Sequence, residues 1–217
     1  AYTRLHALTK ADNLGLALVV IGLLPQMDEL LAAAKLVLVW LLVLLELLTF
    51  AMLFIGFAGA RLAQPDVFAA SQATLDLHSG ALNTLLLVSA SACAARALHA
   101  VRAQARHRVA ARWLLGALAC GLGFMVVKTT EYMVKWQQGL DVANNQFAML
   151  YVGITGFHFL HAGVGCLFFT LTFRLYRPTR QGTYGPGNCH TLETVTVFWH
   201  MVDLLWMVLF PLIYVLR

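Results

Sequence analysis

The sequence predicts an all-α integral membrane protein, a single bundle of five transmembrane helices. Hydrophobic residues make up 60% of the chain and charged residues 12%, and the mean hydropathy is +0.75. A helix that crosses a bilayer needs about 20 mostly apolar residues. Five segments meet this requirement: roughly residues 36–60, 77–98, 112–133, 146–173 and 193–216. Short connections between them place consecutive helices antiparallel in one bundle.

Residues 1–35 form an N-terminal segment that precedes the five-helix domain of residues 36–217. An apolar run over residues 14–24 is too short to cross a bilayer, and it ends at Pro25. We therefore expect an interfacial or re-entrant segment. A signal peptide is the alternative, because basic residues precede the run.

The positive charges predict the orientation of the bundle. Lysine and arginine are enriched in the loops on the cytoplasmic side of a membrane. Eleven of the fifteen basic residues lie before the first span or in and beside the connections that follow the second and fourth spans. This distribution places the N-terminus inside and the C-terminus outside, which agrees with an odd number of spans, since that puts the two termini on opposite sides. The net charge of +5 therefore reflects topology and not nucleic-acid binding.

The first span carries a single charged side chain near its middle, Glu46. Ionisable groups in hydrocarbon are costly and normally face protein, water or a lipid head group. Desolvation favours the neutral form of such a carboxyl. Two interpretations stay open: an acid that donates a hydrogen bond to a neighbouring helix, and a proton-accepting site that serves a partner's proton pathway.

Polar residues in the second and third spans predict helix contacts. Asn83 and Thr84 open the second span, and such side chains form hydrogen bonds between helices in lipid. Lys128, Glu131 and Lys135 follow one another at spacings of three and four near the end of the third span. Because this spacing is typical of ion pairs along a helix face, we predict surface ion pairs there.

The fourth span combines two histidines with several glycines. His158 and His161 lie three residues apart and so share a helix face. Small residues let helix backbones approach closely in lipid. The glycines, among them Gly156 and Gly163, therefore predict that this is a central packing helix.

The fifth span carries three ionisable residues along one face. His200 and Asp203 are three residues apart, and Glu193 precedes His200 by seven. Trp199 and Trp206 surround the pair. We predict that this face meets the histidine face of the fourth span or a lipid head group, because unpaired ionisable groups in hydrocarbon are expensive.

The histidines allow more than one function. One interpretation is an inter-helix hydrogen-bond network in which a carboxylate orients a histidine. Another is a metal centre or b-type haem held by His158 or His161 with His200, which would make the chain a membrane cytochrome or metal enzyme. A stand-alone proton-linked transporter would use Glu46 and Asp203 as proton carriers. Hydrolase, P-loop and dinucleotide fingerprints are absent from the sequence, and we predict neither catalytic residues nor a metal site.

Five motifs, one on each span, resemble the subunit III family of haem-copper oxidases (cytochrome c oxidase). They are Glu46 with Phe50, Leu82-Asn83-Thr84-Leu85-Leu86, Glu131-Tyr132, Gly156-Phe157-His158-Phe159-Leu160-His161 followed by Gly165, and Glu193 with Trp199-His200-Met201-Val202-Asp203 and Trp206. The resemblance covers about residues 36–217. The ending Phe210-Pro211-Leu212-Ile213-Tyr214 looks most like the small NorE-type proteins associated with nitric oxide reductase.

The resemblance implies an accessory subunit that is not itself catalytic and carries no redox cofactor. Haem, with copper or iron, would belong to a separate catalytic subunit that reduces oxygen or nitric oxide. The resemblance further implies bound phospholipid, membrane lipids as partners, a contribution to stability, and a proton-related role for Glu46. It places the chain in the bacterial inner membrane.

The sequence departs from the family pattern in two places, which limits what the resemblance implies for this chain. Larger oxidase subunits have two further N-terminal helices, where this chain has the short apolar run of residues 14–24. Many members have a histidine four residues before the C-terminal glutamate, and here that position is Cys189. A role for that histidine is therefore not carried over.

Overall fold

The computed structural model describes residues 30–103, 107–175 and 186–216, and within these ranges it contains helices and no strand. Five of the described helices are long and apolar enough to cross a membrane. The predicted bundle of five transmembrane helices is therefore confirmed. The helices are α1 (Leu30–Ala63), α2 (Pro65–Ala73), α3 (Leu77–Arg102), α4 (His107–Gln137), α5 (Gln146–Leu175) and α6 (Pro186–Phe210).

The long helices extend beyond the apolar spans that predicted them. Helix α1 begins at Leu30, and α6 begins at Pro186, a residue whose fixed φ suits the first turn of a helix. The short helix α2 occupies part of the connection between the first two spans. Most of the predicted N-terminal segment of residues 1–35 lies outside the described residues, so its interfacial or re-entrant character stays a prediction.

The chain divides into two compact units, Ala1–Ile55 and Gly56–Arg217. In the first unit the structure describes the beginning of α1, where the rings of Phe50 and Phe54 pack with centroids 6.0 Å apart. The second unit contains the end of α1 and all the later helices.

Four helices of the second unit pack in a closed ring. Helix α3 packs against α4 and α6, and α5 packs against the same two helices. Large aromatic side chains fill the interior, among them Phe124, Tyr151, Trp199 and Trp206. The most extensive contact joins α3 and α4, so α5 is one of four partners and not the central packing helix that the glycines predicted.

Asp76 fixes the start of α3. Its carboxylate accepts hydrogen bonds from the backbone N–H of His78 at 3.0 Å, from that of Ser79 at 3.2 Å and from the Ser79 hydroxyl at 2.5 Å. This is the arrangement of a helix N-cap. The hydroxyl bond, and after it the backbone bond, stabilise the charged form and lower the pKa of Asp76 below its ordinary value.

The end of the chain is tied to α2. Helix α6 continues into a wider π-helical turn, Pro211–Val215, in which the N–H of Leu216 donates to the carbonyl of the first residue at 2.9 Å. The side-chain amide of Gln72 donates to the Ile213 carbonyl at 2.9 Å. These contacts hold the Tyr214 side chain in the interior, where it is 2% exposed.

Candidate functional site

Polar side chains of the second unit collect along the inward face of α6 and its last turn at three levels. We call them the Tyr214 level, the Asp203 level and the Glu193 level. Because a helix rises about 1.5 Å per residue, the three levels together extend over about 30 Å, the thickness of a bilayer core. The polar contacts therefore span the whole membrane domain.

At the Tyr214 level, a lysine ammonium lies in a closed hydrogen-bond ring. Lys128 Nζ donates to Glu131 Oε2 at 3.1 Å, to the Tyr151 hydroxyl at 3.0 Å and to the Tyr214 hydroxyl at 2.7 Å. Both tyrosine hydroxyls donate in turn to Glu131 Oε1 at 2.6 Å. All three ammonium protons and both carboxylate oxygens are thereby engaged. We call these four residues the Lys128 cluster.

The Lys128 cluster is closed off from its surroundings. The side chain of Lys128 is 0% exposed and that of Glu131 is 4% exposed. A buried ion pair is tolerated when its geometry is good and its remaining donors and acceptors are satisfied, and this pair meets both conditions. Cation–π attraction adds to the stabilisation, because the ammonium lies within 5.7 Å of four ring centroids, those of Tyr132, Tyr151, Trp206 and Tyr214.

The prediction of surface ion pairs at the end of the third span is wrong. Lys128 and Glu131 do pair at the predicted spacing, but the pair is buried. Lys135 is 7% exposed, and it donates to the Thr74 carbonyl and to the Gln138 side chain. Spacing shows which residues share a helix face, but it does not show whether that face is turned inward.

At the Asp203 level, side-chain hydrogen bonds join α3 to α6. Ser91 Oγ donates to Asp203 Oδ2 at 2.8 Å, and Trp206 Nε1 donates to Thr84 Oγ1 at 2.9 Å. The Thr84 hydroxyl donates in turn to the Gly80 carbonyl at 2.9 Å. Thr84 and Trp206, both predicted as interface residues, thus contact each other. Ser91 was not singled out by the sequence, because a lone serine in an apolar helix carries no spacing signal.

His158 connects α5 to α6. Its side chain is 0% exposed, and Nε2 lies 3.0 Å from the Val202 carbonyl oxygen, so Nε2 carries the proton. The rings of Phe124 and Trp206 pack against it, with centroids at 5.6 Å and 5.1 Å. His161 differs, since its Nδ1 lies 2.8 Å from the Phe157 carbonyl oxygen of its own helix. The histidine face of α5 therefore meets the α6 backbone through His158.

Trp199 fills space that two glycines leave open. A Cβ placed on Gly165 would lie 2.5 Å from Trp199 Cε3, and one placed on Gly121 would lie 2.9 Å from Trp199 Cη2. A Cβ placed on Gly156 or Gly163, the predicted interface glycines, would have its nearest neighbour at 4.0 Å or 3.5 Å, which is ordinary van der Waals contact. The close approach on α5 is therefore at Gly165.

At the Glu193 level, an ion pair joins α3 to α6. Arg102 Nη2 and Nε donate to Glu193 Oε1 at 2.9 Å and 3.2 Å. We predicted a contact with α5 or a lipid head group for this carboxylate, whereas its ion pair is with α3. A cavity of about 470 Å³ opens beside the pair, lined by Ala95, Leu98, His99, Arg102, Glu193, Thr196, Val197 and His200. We call it the Glu193 cavity.

Two further residues that the sequence singled out take no part in the contacts just described. Asn83 is 0% exposed, and neither its amide oxygen nor its amide nitrogen has a hydrogen-bond partner among the described residues. Glu46 belongs to the first unit, where its side chain is half-buried. The proton-related role of Glu46 stays a prediction.

The arrangement uses ionisable side chains mainly to hold helices together. The Lys128 cluster joins α4, α5 and the last turn, while Asp203 and Glu193 join α6 to α3. Within the described ranges, no group of three or more histidine, cysteine or acidic residues is placed to hold a metal ion.

Comparison with known proteins adds an independent line of evidence. A family model described as cytochrome c oxidase subunit III matches residues 32–217, and one described as Na+/H+ antiporter subunit matches residues 1–58. The probable cytochrome c oxidase subunit 3 of Mycobacterium tuberculosis is 29% identical over 172 residues, 79% of this chain and 83% of the relative. That of Mycobacterium leprae is 30% identical over 173 residues, with the same two shares.

A relative from a third organism agrees. The cytochrome c oxidase subunit 3 of Synechocystis is 29% identical over 142 residues, 65% of this chain and 58% of the relative. The family match includes all five helices that could span a membrane. The chain is therefore a multi-pass membrane protein that belongs to the cytochrome c oxidase subunit III family.

Proposed function

We propose that this chain is a non-catalytic accessory subunit of a haem-copper oxidase. The observation that carries the proposal is the family match over residues 32–217. A subunit III implies a catalytic subunit as its partner in the complex. The geometry supports an accessory role, because the Arg102–Glu193 ion pair and the hydrogen bonds of Tyr151 and Tyr214 within the Lys128 cluster tie helices of the same chain together.

In this proposal the redox chemistry belongs to the partner. Haem, with copper or iron, would sit on the catalytic subunit, and this chain would carry no redox cofactor. The chain would contribute stability, bound phospholipid and a proton-related side chain, Glu46. Its apolar helix surfaces support lipid as a partner, since residues such as Leu85, Val126 and Leu160 are more than half exposed.

The finer features of the assignment are proposals of the same kind. The basic residues support an orientation with the N-terminus inside and the C-terminus outside in a bacterial inner membrane. The resemblance of the chain's ending to NorE-type proteins makes a nitric oxide reductase an alternative core enzyme. Consumption of oxygen or of nitric oxide by the isolated complex would distinguish the two.

Isolation from the native membrane tests the proposal. The full chain, tagged at its C-terminus, is solubilised in a mild detergent and purified, and its partners are identified by mass spectrometry. We expect a haem-bearing catalytic subunit in near-equal amount, with a haem spectrum in the complex and none in the chain after dissociation. Haem absorbance in the separated chain, or recovery without any haem-bearing partner, would contradict the proposal.

One observation favours a second function, proton-linked transport: the antiporter family match over residues 1–58. The purified chain would be reconstituted alone into vesicles, and proton movement would be followed with a pH-sensitive dye after a sodium gradient is imposed. Sodium-dependent proton movement above that of empty vesicles would favour this function. The accessory-subunit proposal expects none.

A further inference from the structure

Two cysteines lie at the contact between α3 and α4, which is the most extensive helix contact in the described part of the chain. Cys93 belongs to α3 and Cys120 to α4. Both thiols are free and half-buried, so a small reagent can reach them. Whether they can react with each other depends on how the two helices are aligned.

Two close contacts fix the alignment of α3 and α4. Cys93 Sγ lies 3.2 Å from the position of a Cβ placed on Gly116, and Leu86 Cδ2 lies 3.4 Å from that of a Cβ placed on Gly123. A step back along α3 therefore matches an equal step forward along α4, as in an antiparallel pair. In this alignment Cys120 lies one helical turn, about 6 Å, beyond the position opposite Cys93.

The tilt of helical side chains brings the two sulfur atoms together. Side chains of a helix lean toward its N-terminus, over the preceding turn. Cys93 therefore leans toward Ser89, which the alignment places opposite Cys120, and Cys120 leans toward Gly116. Because the helices are antiparallel, the two tilts converge, and the missing side chain of Gly116 leaves room between them. The charged forms of the two thiols are accordingly close enough to repel each other.

The surroundings of this cysteine pair favour an uncharged product. Both residues lie in helices that could span a membrane, more than two turns from the nearer end. A monovalent copper ion held by two thiolates would carry a negative charge, which is costly in hydrocarbon. Within the described ranges, no third histidine, cysteine or acidic residue joins the pair to hold a metal ion. A disulfide carries no charge and meets no such cost.

We propose that Cys93 and Cys120 are a redox-active pair that hydrogen peroxide converts into a disulfide joining α3 to α4. The sulfur of one thiol bonds to one peroxide oxygen, the O–O bond breaks, and the other oxygen leaves as water with the thiol proton. The second sulfur then displaces the hydroxyl of the sulfenic acid, which leaves as water with the second thiol proton. Two electrons pass from the sulfur atoms to the peroxide, so two thiols and one peroxide give one disulfide and two waters.

The disulfide stabilises the bundle in response to peroxide. Hydrogen peroxide is small and uncharged, so it can reach half-buried thiols within a bilayer. A covalent link between residues 93 and 120 closes a loop that contains the whole connection from α3 to α4. Such a link restricts the unfolded chain and so favours the folded one.

Peptide mass spectrometry of the full chain tests the pair. The protein is purified from its native membrane, treated with hydrogen peroxide, blocked with N-ethylmaleimide and digested without reductant. We expect a peptide pair linked through Cys93 and Cys120 that dithiothreitol separates, and a melting temperature raised by about 5 °C. Oxidation of either cysteine to sulfenic or sulfinic acid without the link, or no oxidation of either one, would overturn the inference.

An exchange of two neighbouring residues supplies the matched control. Ala119→Cys/Cys120→Ala keeps the number of thiols and turns one of them by about 100° around α4. Ala119 is exposed, so a thiol there is at least as accessible to peroxide. We expect its sulfenic acid without a link to Cys93. A link formed as efficiently as in the unaltered chain would contradict the juxtaposition.

The other cysteines test the specificity of the link. Cys166 is 6% exposed, and its Sγ lies 2.7 Å from the position of a Cβ placed on Gly121, so close packing protects it. Every sample carries Cys189→Ser, which removes the remaining thiol. Cys93→Ala and Cys120→Ala should each abolish the link and the rise in melting temperature, while circular dichroism shows unchanged helix content. A disulfide to Cys166 in place of the expected one would refute the pair.

Discussion

Lys128 shows how a membrane domain holds a full charge in its interior. Each of its three donors has an acceptor within 3.1 Å, and the two tyrosine hydroxyls donate hydrogen bonds to Glu131. Removing one ion of a buried pair leaves the other uncompensated, whereas removing both leaves no charge to be solvated. The stability of the cluster therefore depends on its completeness more than on either charge alone.

The first prediction follows from this completeness. Lys128→Met should lower the free energy of unfolding by about 3–5 kcal/mol, because the Glu131 carboxylate loses its only ion-pair partner among the described residues. The double variant Lys128→Met/Glu131→Gln should lose less than the single variant. Denaturant unfolding of the purified chain measures both, with Arg112→Met on the exposed surface as the control. A single variant no less stable than the control would contradict the role of the cluster.

The burial of the Lys128–Glu131 pair could not be predicted from the sequence. The spacing of Lys128 and Glu131 predicted their ion pair, but not its burial. Burial depends on Tyr151 and Tyr214, which come from α5 and the last turn of the chain. Such long-range placement depends on how the helices rotate against one another, and a spacing within one helix carries no information about that rotation.

At the scale of elements, close packing of α5 on α6 depends on one glycine, which has no side chain to separate the two helices. Gly165 leaves room for the indole of Trp199, and a methyl there would come within 2.7 Å of two of its ring carbons. An overpacked core must shift its side chains or backbone, which usually destabilises a protein. The glycines of α5 are therefore not equivalent, although in sequence they look alike.

The second prediction compares two of these glycines. Gly165→Ala should lower the free energy of unfolding by about 1–3 kcal/mol through overpacking against Trp199. Gly153→Ala should be neutral or stabilise the helix by up to about 1 kcal/mol, since no neighbour lies within 4 Å of its Cβ position. Adding Trp199→Phe to Gly165→Ala should recover part of the loss. Equal effects at the two glycines would refute the packing argument.

Helix existence was predictable from hydropathy, and helix ends were not. The five spans are long apolar runs, which only a helix can carry through a bilayer. Helix α6 nevertheless begins at Pro186, several residues before the apolar stretch that predicted it. At its other end it continues into the turn Pro211–Val215. Such limits depend on tertiary contacts, such as the hydrogen bond from the Gln72 side chain to the Ile213 carbonyl.

At the scale of the whole molecule, the third prediction concerns orientation. Eight of the fifteen basic residues lie in or beside the connections after α3 and α5, which should therefore lie in the cytoplasm. An alkaline phosphatase fusion at Arg217 should be active and a green fluorescent protein fusion there should be dark, because the C-terminus is expected outside. Fusions at Arg102 should give the opposite pair of signals. A fluorescent fusion at Arg217 would contradict the predicted orientation.

Family membership and geometry together assign the chain an accessory role, and Glu46 is the residue that tests how far that role extends. It lies within an apolar span of the first unit and is not one of the residues through which the Lys128 cluster holds the bundle. An ionisable group at such a depth is normally functional. A carboxyl that takes up and releases protons near a catalytic partner would assist turnover without being required for it.

The last prediction is the outcome of Glu46→Gln. Glutamine keeps the size and hydrogen-bonding capacity of the side chain but cannot ionise, so the variant removes only proton exchange. We expect an assembled complex with normal haem content and at most a modest change in turnover rate or proton coupling, measured by substrate consumption and proton release in vesicles. Glu46→Leu, which also removes the hydrogen bonds, separates a structural from a proton-related loss. If Glu46→Gln abolished turnover while assembly and haem content stayed normal, Glu46 would lie on an obligatory proton path, and the chain would be part of the catalytic machinery rather than accessory to it.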